Sequence, residues 1–396
     1  MRTSFRSLIA GAVVVAFASF AFMPGPAAAQ QKVKIGFIST FSGPQGVMGT
    51  YMKESVELAI EHLGGKVGGL PVEMFYGDDQ FKPDVGVQVA EEMLKKDNVD
   101  FVSGIIWSNV MMAVVPVVTG ANKIMIGTNA GASPLAGSQC NKLYFTTSWN
   151  NDQTPEALGK YLQDQGINDL YVMAPNYQAG KDMVAGLKRY YKGRIAEEVY
   201  TKMGQQDYQA EISQLRSKNP KAVFAFYPGG MGIQFLKQYD QAGLRDQIPL
   251  YTVYTVDEIS IPAVKDAAVG VYEARYWSPD LKNPQNQRFV ADYKKKYGKL
   301  PVFYGAQSYD GIMLIDSAVR AVKGNLKDVN GMVKAMEKAD FPSLRGHFTY
   351  NVNHHPIQNF YLLKSVKVPN GDIEMHIQKT IFENYKDSYY QECKMQ

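Results

Sequence analysis

Residues 99–134 read VDFVSGIIWSNVMMAVVPVVTGANKIMIGTNAGASP. The order is strand, polar turn, helix, strand, polar turn, which is a βαβ unit. Residues 100–106 and 123–127 are apolar runs of the length expected for buried parallel strands. The first ends in Trp107-Ser108-Asn109 and the second in Thr128-Asn129-Ala130-Gly131-Ala132-Ser133. Right-handed crossovers bring both turns out along one edge of a parallel sheet, where ligands bind outside the carboxyl ends of strands. Ser108 is placed to cap a helix over 109–119, with Pro116 kinking its later half. The open N–H groups at that helix start, together with the Ser108 and Ser133 hydroxyls, form a neutral cradle suited to a carboxylate. Serines in such turns also serve as caps alone; the pair at adjacent strand ends is what favours a site.

Outward from this unit the alternation continues on both sides. Upstream, the spacing predicts a strand over 33–40, a glycine-rich turn over 41–46, a helix over 49–63 stopped by Gly64-Gly65, a strand over 70–76 and a helix over 84–96. The turn carries neither GxxxxGK[ST] nor GxGxxG, so it is no phosphate loop. Asp78-Asp79 has the composition of a metal or acid–base pair, but its place before a helix favours turn capping. Downstream come a strand over 142–148 and a helix over 153–165. A second strand–helix series then runs through 169–174, 180–191, 194–200, 208–218, 222–227, 232–242 and 249–255. Two such series define an α/β protein with two doubly wound, Rossmann-like lobes. The remainder reads as extended chain over 270–278, helices over 285–297, 305–322 and 329–339, an antiparallel pair over 346–352 and 359–365, and a polar, Tyr-rich tail. Pro301–Tyr304 reads as a short extended piece before its helix.

The first thirty residues set the compartment. Arg2 and Arg6 precede an apolar run over 8–23 and then Pro24-Gly25-Pro26-Ala27-Ala28-Ala29, the pattern of a secretory signal peptide spanning 1–29. The run is too short for a membrane span, and no cysteine marks a lipid anchor. The expectation is an exported, periplasmic, soluble monomer. The net charge of +4 falls by two with the leader, to +2, which excludes a nucleic-acid partner; Lys294-Lys295-Lys296 and Lys95-Lys96 read as solvated helix faces. Cys140 and Cys393 are the two cysteines. In an exported chain they favour one disulfide, worth about 4–5 kcal/mol for so long a loop.

At this point the fragments SGPQG, GDDQFKPDVGVQVAEEMLKKDNVDFVSGIIWS, GASP, TSWNNDQ and a YDG-bearing helix resemble, in their order and spacing, the periplasmic solute-binding proteins of branched-chain amino-acid-type ABC transporters. The resemblance covers nearly the whole mature chain. It implies two lobes, 31–148 plus 278–347 and 149–277 plus 348–396, joined by a three-crossing hinge with the ligand cleft between them. It also puts the Cys140–Cys393 clip near the hinge. It implies a carboxylate site at Ser108, in the Trp107-Ser108-Asn109 turn, and at the Gly131-Ala132-Ser133 turn. Tyr227 takes the place of the tyrosine that family members use for the ligand ammonium. The family glutamate has no counterpart; Asp257, in Tyr254-Thr255-Val256-Asp257, is the nearest acid.

That departure bears on the ligand. A buried ammonium without a carboxylate partner is costly. The strand-end turns are rich in flat side chains (Trp107, Trp149, Tyr177, Tyr227, Tyr254) that suit an apolar ring, although Trp149 equally suits hinge packing. The expected ligand is therefore an aromatic carboxylate, handed to ABC permease and ATPase subunits in the inner membrane. Branched-chain amino acids or an amide are the alternative ligands, and a ligand-presenting sensor subunit is the alternative role. An enzyme finds no support, because GxSxG, HExxH and CxxC are all absent. His354-His355, flanked by Asn353 and Pro356, reads as an exposed loop pair. No cofactor or metal is expected.

Overall fold

A computed structural model describes Met1 and residues 31–395; apart from Met1, the leader expected over 1–29 lies outside the described residues. Two mainly parallel sheets carry the chain. The first contains β1 (Val33–Ser39), β2 (Lys66–Val67), β3 (Leu70–Asp78), β4 (Phe101–Gly104), β5 (Ile124–Gly127) and β6 (Tyr144–Thr146), in the order β2-β3-β1-β4-β5-β6. The second contains β7 (Asp169–Pro175), β8 (Arg194–Thr201), β9 (Ala222–Ala225), β10 (Leu250–Val253), β11 (Tyr272–Arg275), β12 (Thr349–Tyr350), β13 (Pro356–Lys367) and β14 (Ile373–Tyr385). Its order is β12-β13-β11-β10-β9-β7-β8, with β14 on β13. The short strands β4, β5, β9 and β10 are buried along their whole length, which is why their sequences are mainly apolar and do not alternate.

Strand order locates the switch points. In the first sheet the chain steps outward from β1 to β3, then returns to place β4 on the other side of β1. In the second it steps from β7 to β8, then returns to place β9 beside β7. Each reversal opens a crevice at the carboxyl edge. After the second sheet's parallel strands, helices Pro284–Tyr297 and Phe303–Ala321 return to the first lobe. Tyr51 stacks on Tyr293 at 6.2 Å, His62 lies 2.8 Å from the Tyr309 hydroxyl, and the Gly68 N–H donates to Asp316. Arg345 ties together segments that are far apart in the sequence. It donates to the Thr147 and Ser148 carbonyls, to Gln358 Oε1 and to Asp310, with which it forms a buried ion pair at 3.0 Å.

Several sequence expectations are corrected. Ser108 is the first residue of helix Ser108–Gly120, not its cap; Trp107 is the N-cap, and no side chain closes the helix start. The Tyr-rich tail holds a thirteen-residue strand, β14, missed because it pairs on one side only and most of its residues keep contact with solvent. His354 and His355 are buried rather than exposed, His354 lying flat on Phe145 at 3.8 Å. Asp78 and Asp79 orient their turn as expected, accepting N–H bonds from Phe41, Gln80 and Phe81. Cys140 and Cys393 form a disulfide that closes a loop of 253 residues.

Candidate functional site

Both switch points open onto one narrow cavity. Its wall takes Ile106, Trp107 and Ser108 after β4, Asn129 and Ala130 after β5, and Trp149 and Asn151 after β6. From the second sheet come Tyr177, Ala179 and Met183 after β7, Phe226 and Pro228 after β9, and Tyr254 after β10; Tyr304 completes the wall.

The first sheet provides the polar side. Gly104 leaves β4 at φ +112°, where a Cβ would meet the Ile38 carbonyl oxygen at 2.2 Å, and Ile105 follows at φ +67°. A β-branched residue in that region is strained; the Ile105 N–H bond to Ile38 and its carbonyl bond from Ala130 hold it there. The bend turns the start of helix Ser108–Gly120 toward the cavity. Its first-turn N–H groups carry no side-chain cap and are oriented to receive an anion. Asn151 sets the Ser108 hydroxyl. Its Oδ1 accepts from the Gly131 N–H (3.2 Å) and Trp149 Nε1 (3.3 Å), so its Nδ2 is the donor, to Ser108 Oγ (3.0 Å) and to Asp182 (2.9 Å). Ser108 Oγ accepts that bond and keeps its own hydrogen for a ligand. Asn129 is held by donation to the Ile106 carbonyl and by Gln307, which donates to it.

Both edges provide rings, Trp107 and Trp149 from the first sheet and Tyr177, Phe226 and Tyr254 from the second. Trp107, Tyr177 and Phe226 follow one another at centroid separations of 6.2 and 6.3 Å, and Tyr254 lies 6.4 Å beyond Phe226. Trp149 stacks on Tyr254 at 4.5 Å and 19°. The Tyr254 turn is itself at positive φ, +53°, and buried charge braces it. Glu273 accepts the Thr255 and Val256 N–H bonds, and Arg275 joins Glu273 (2.7 Å) to Glu258 (3.1 Å). Burial raises the Tyr177 and Tyr254 hydroxyls above the ordinary phenol range, so both stay neutral.

Of the ten residues expected at the site, Trp107, Ser108, Trp149, Tyr177 and Tyr254 line the cavity. Asn109, Ala132, Ser133, Tyr227 and Asp257 do not. Ser133 gives its hydroxyl to the Asp152 carboxylate and its N–H to Asp182; those acids lie far along the chain, so no local signal revealed them. Tyr227 packs between Tyr208 and Phe235 at 4.8 and 5.0 Å and accepts from Thr201, because alternation at the strand end sends its neighbours Phe226 and Pro228 into the cavity instead. Asp257 turns back to cap Ile259 and Ser260; burial, opposed by the Arg275 charge, raises its carboxyl to about 7. Asn129, Asn151, Phe226 and Tyr304 were missed. Asn129 and Asn151 stand in turns already read as strand ends, whereas nothing near Tyr304 in the sequence marks it.

The fold and this placement of the cavity define a two-lobed solute-binding protein. A family pattern described as periplasmic binding protein matches residues 32–371, and the chain belongs to that family. The Leu/Ile/Val-binding protein homolog 6 of Brucella melitensis is 27% identical over 349 residues, covering 86% of this chain and 89% of the relative. An ABC-transporter solute-binding protein from R. palustris in complex with benzoate has 27% identity and a TM-score of 0.87, with 92% of this chain and 100% of that chain covered. Another, from Rhodopseudomonas palustris BisB5 in complex with 3,4-dihydroxy benzoic acid, has 27% identity and a TM-score of 0.85, with coverages of 90% and 99%.

Proposed function

We propose that this protein captures an aromatic carboxylate in the periplasm and delivers it, as a monomer and without chemical change, to an ABC import permease and its ATPase. The observation that carries the ligand assignment is the composition of the wall: among the described residues that line the cavity, none bears a charged side chain. An α-ammonium entering there would be desolvated without a partner, a loss of several kcal/mol. A carboxylate is served by the open N–H groups of helix Ser108–Gly120 and by the Ser108 hydroxyl, and a ring is served by Trp107, Tyr177, Phe226 and Tyr254. The benzoate and dihydroxybenzoate bound by the two similar proteins agree with this. The lobes are 31–148 plus 278–347 and 149–277 plus 348–396, and the ligand favours their closed arrangement through its greater affinity for that state.

The names of the Brucella relatives favour a second reading, a branched-chain amino acid, which lacks an acidic wall residue for the ammonium. Thermal-shift and calorimetric screening separates the two, because a ligand of the native state raises its apparent stability. Purified protein, freed of host ligand by unfolding and refolding, is expected to be stabilised by benzoate, hydroxybenzoates or cinnamate and not by leucine. Stabilisation by leucine with no response to any aromatic acid would reverse the assignment.

A further inference from the structure

Tyr304 lies in the first turn of helix Phe303–Ala321 and is 1% exposed. It lines the cavity, and its hydroxyl is buried without a hydrogen-bond partner. Three other polar groups of the wall are engaged. Trp107 Nε1 donates to Thr40, Trp149 Nε1 donates to Asn151, and the Tyr254 hydroxyl is bonded to Thr154. An O–H buried with no partner is unfavourable relative to one in water, so this atom is completed by whatever enters the cavity. The carboxylate already has donors in the helix start and Ser108. What Tyr304 adds is a single neutral group, able both to donate and to accept, set among rings. Burial, and next the charge of Asp257, hold it in the protonated phenol form. The matching ligand group is a hydroxyl on the ring, which also donates and accepts.

We propose that Tyr304 recognises a phenolic hydroxyl, so that the site prefers hydroxylated aromatic acids to unsubstituted ones. This rests on the aromatic-acid reading above. Sites built to bond a ligand hydroxyl discriminate strongly against the analogue without it, because the protein group is then left unpaired.

The test is calorimetric titration of the wild-type protein and Tyr304→Phe with benzoate, 3-hydroxybenzoate and 4-hydroxybenzoate. The wild type is expected to bind at least one hydroxybenzoate about tenfold or more tightly than benzoate. In Tyr304→Phe that ratio falls to within about twofold. A wild-type protein without the preference overturns the inference, and this holds whether or not the variant folds. So does a ratio unchanged in the variant, or an equal loss for all three acids, which would assign Tyr304 to the carboxylate. Binding of all three acids without discrimination defeats this inference alone; failure of every aromatic acid to bind defeats the ligand reading beneath it.

Discussion

At the carboxyl edge of the first sheet, β4 ends in Gly104 and Ile105 at φ +112° and +67°; at that of the second, β10 ends in Tyr254 at +53°. Each edge places strained backbone beside the cavity; β4 borders the reversal of its own sheet, whereas β10 lies one strand beyond the β7–β9 reversal. The two differ in how the strain is held and in what they present. The first is braced by neutral amides, Asn129 on the Ile106 carbonyl and Gln307 on Asn129, and presents a hydroxyl and an uncapped helix start. The second is braced by the buried charges Arg275, Glu273 and Glu258 and presents aromatic faces. One architecture used twice thus yields one edge with a free hydroxyl beside two indole rings and another that is mainly aromatic. The charged residues that brace the second edge do not line the cavity.

The largest effect expected from breaking this contrast is at Arg275. Arg275→Met leaves Glu258 and Glu273 buried beside each other without their shared cation, and should destabilise the fold by about 3–5 kcal/mol in urea unfolding. A loss below about 1 kcal/mol, the range of an exposed pair, would mean that the second edge stands without its charges.

The next concerns pH. The Asp257 carboxyl is raised to about 7, by burial first and against the Arg275 charge, so the folded state favours its protonated form. Its contribution to stability is complete below the unfolded value near 4 and is lost as pH rises through 7. The stability of the wild type relative to Asp257→Asn should therefore fall across this window, by a few kcal/mol at most. A difference that stays flat with pH would place the titration elsewhere.

The smaller effects are on binding. Ser108→Ala should weaken an aromatic carboxylate by about 1–3 kcal/mol in calorimetry, as expected for removal of a donor to a charged acceptor. Ser133→Ala should leave affinity within about twofold, because Ser133 bonds Asp152 and Asp182 outside the cavity. The reverse result would exchange the roles of the two serines.

The parallel strands and helices were legible because buried strands are continuous apolar runs and helices carry their own periodicity. The edge strand β14 escaped, since a strand paired on one side and wet on the other has no such run. In the site, Trp107, Ser108, Trp149, Tyr177 and Tyr254 were legible for the same topological reason: each stands directly after a strand whose end must face the crevice. At Tyr227 that logic missed by one residue, because alternation gives the cavity to Phe226 and Pro228.

By itself the sequence determined the two α/β series, the polar turn after β4 and the aromatic turns after β7 and β10, because these depend on local composition and period. Tertiary structure alone decided that Ser133 belongs to Asp152, that Asn151 orients Ser108, that Asp257 turns away and that Tyr304 enters the wall. Those outcomes are contacts between segments distant along the chain or choices of side-chain direction, and neither leaves a trace in composition or spacing.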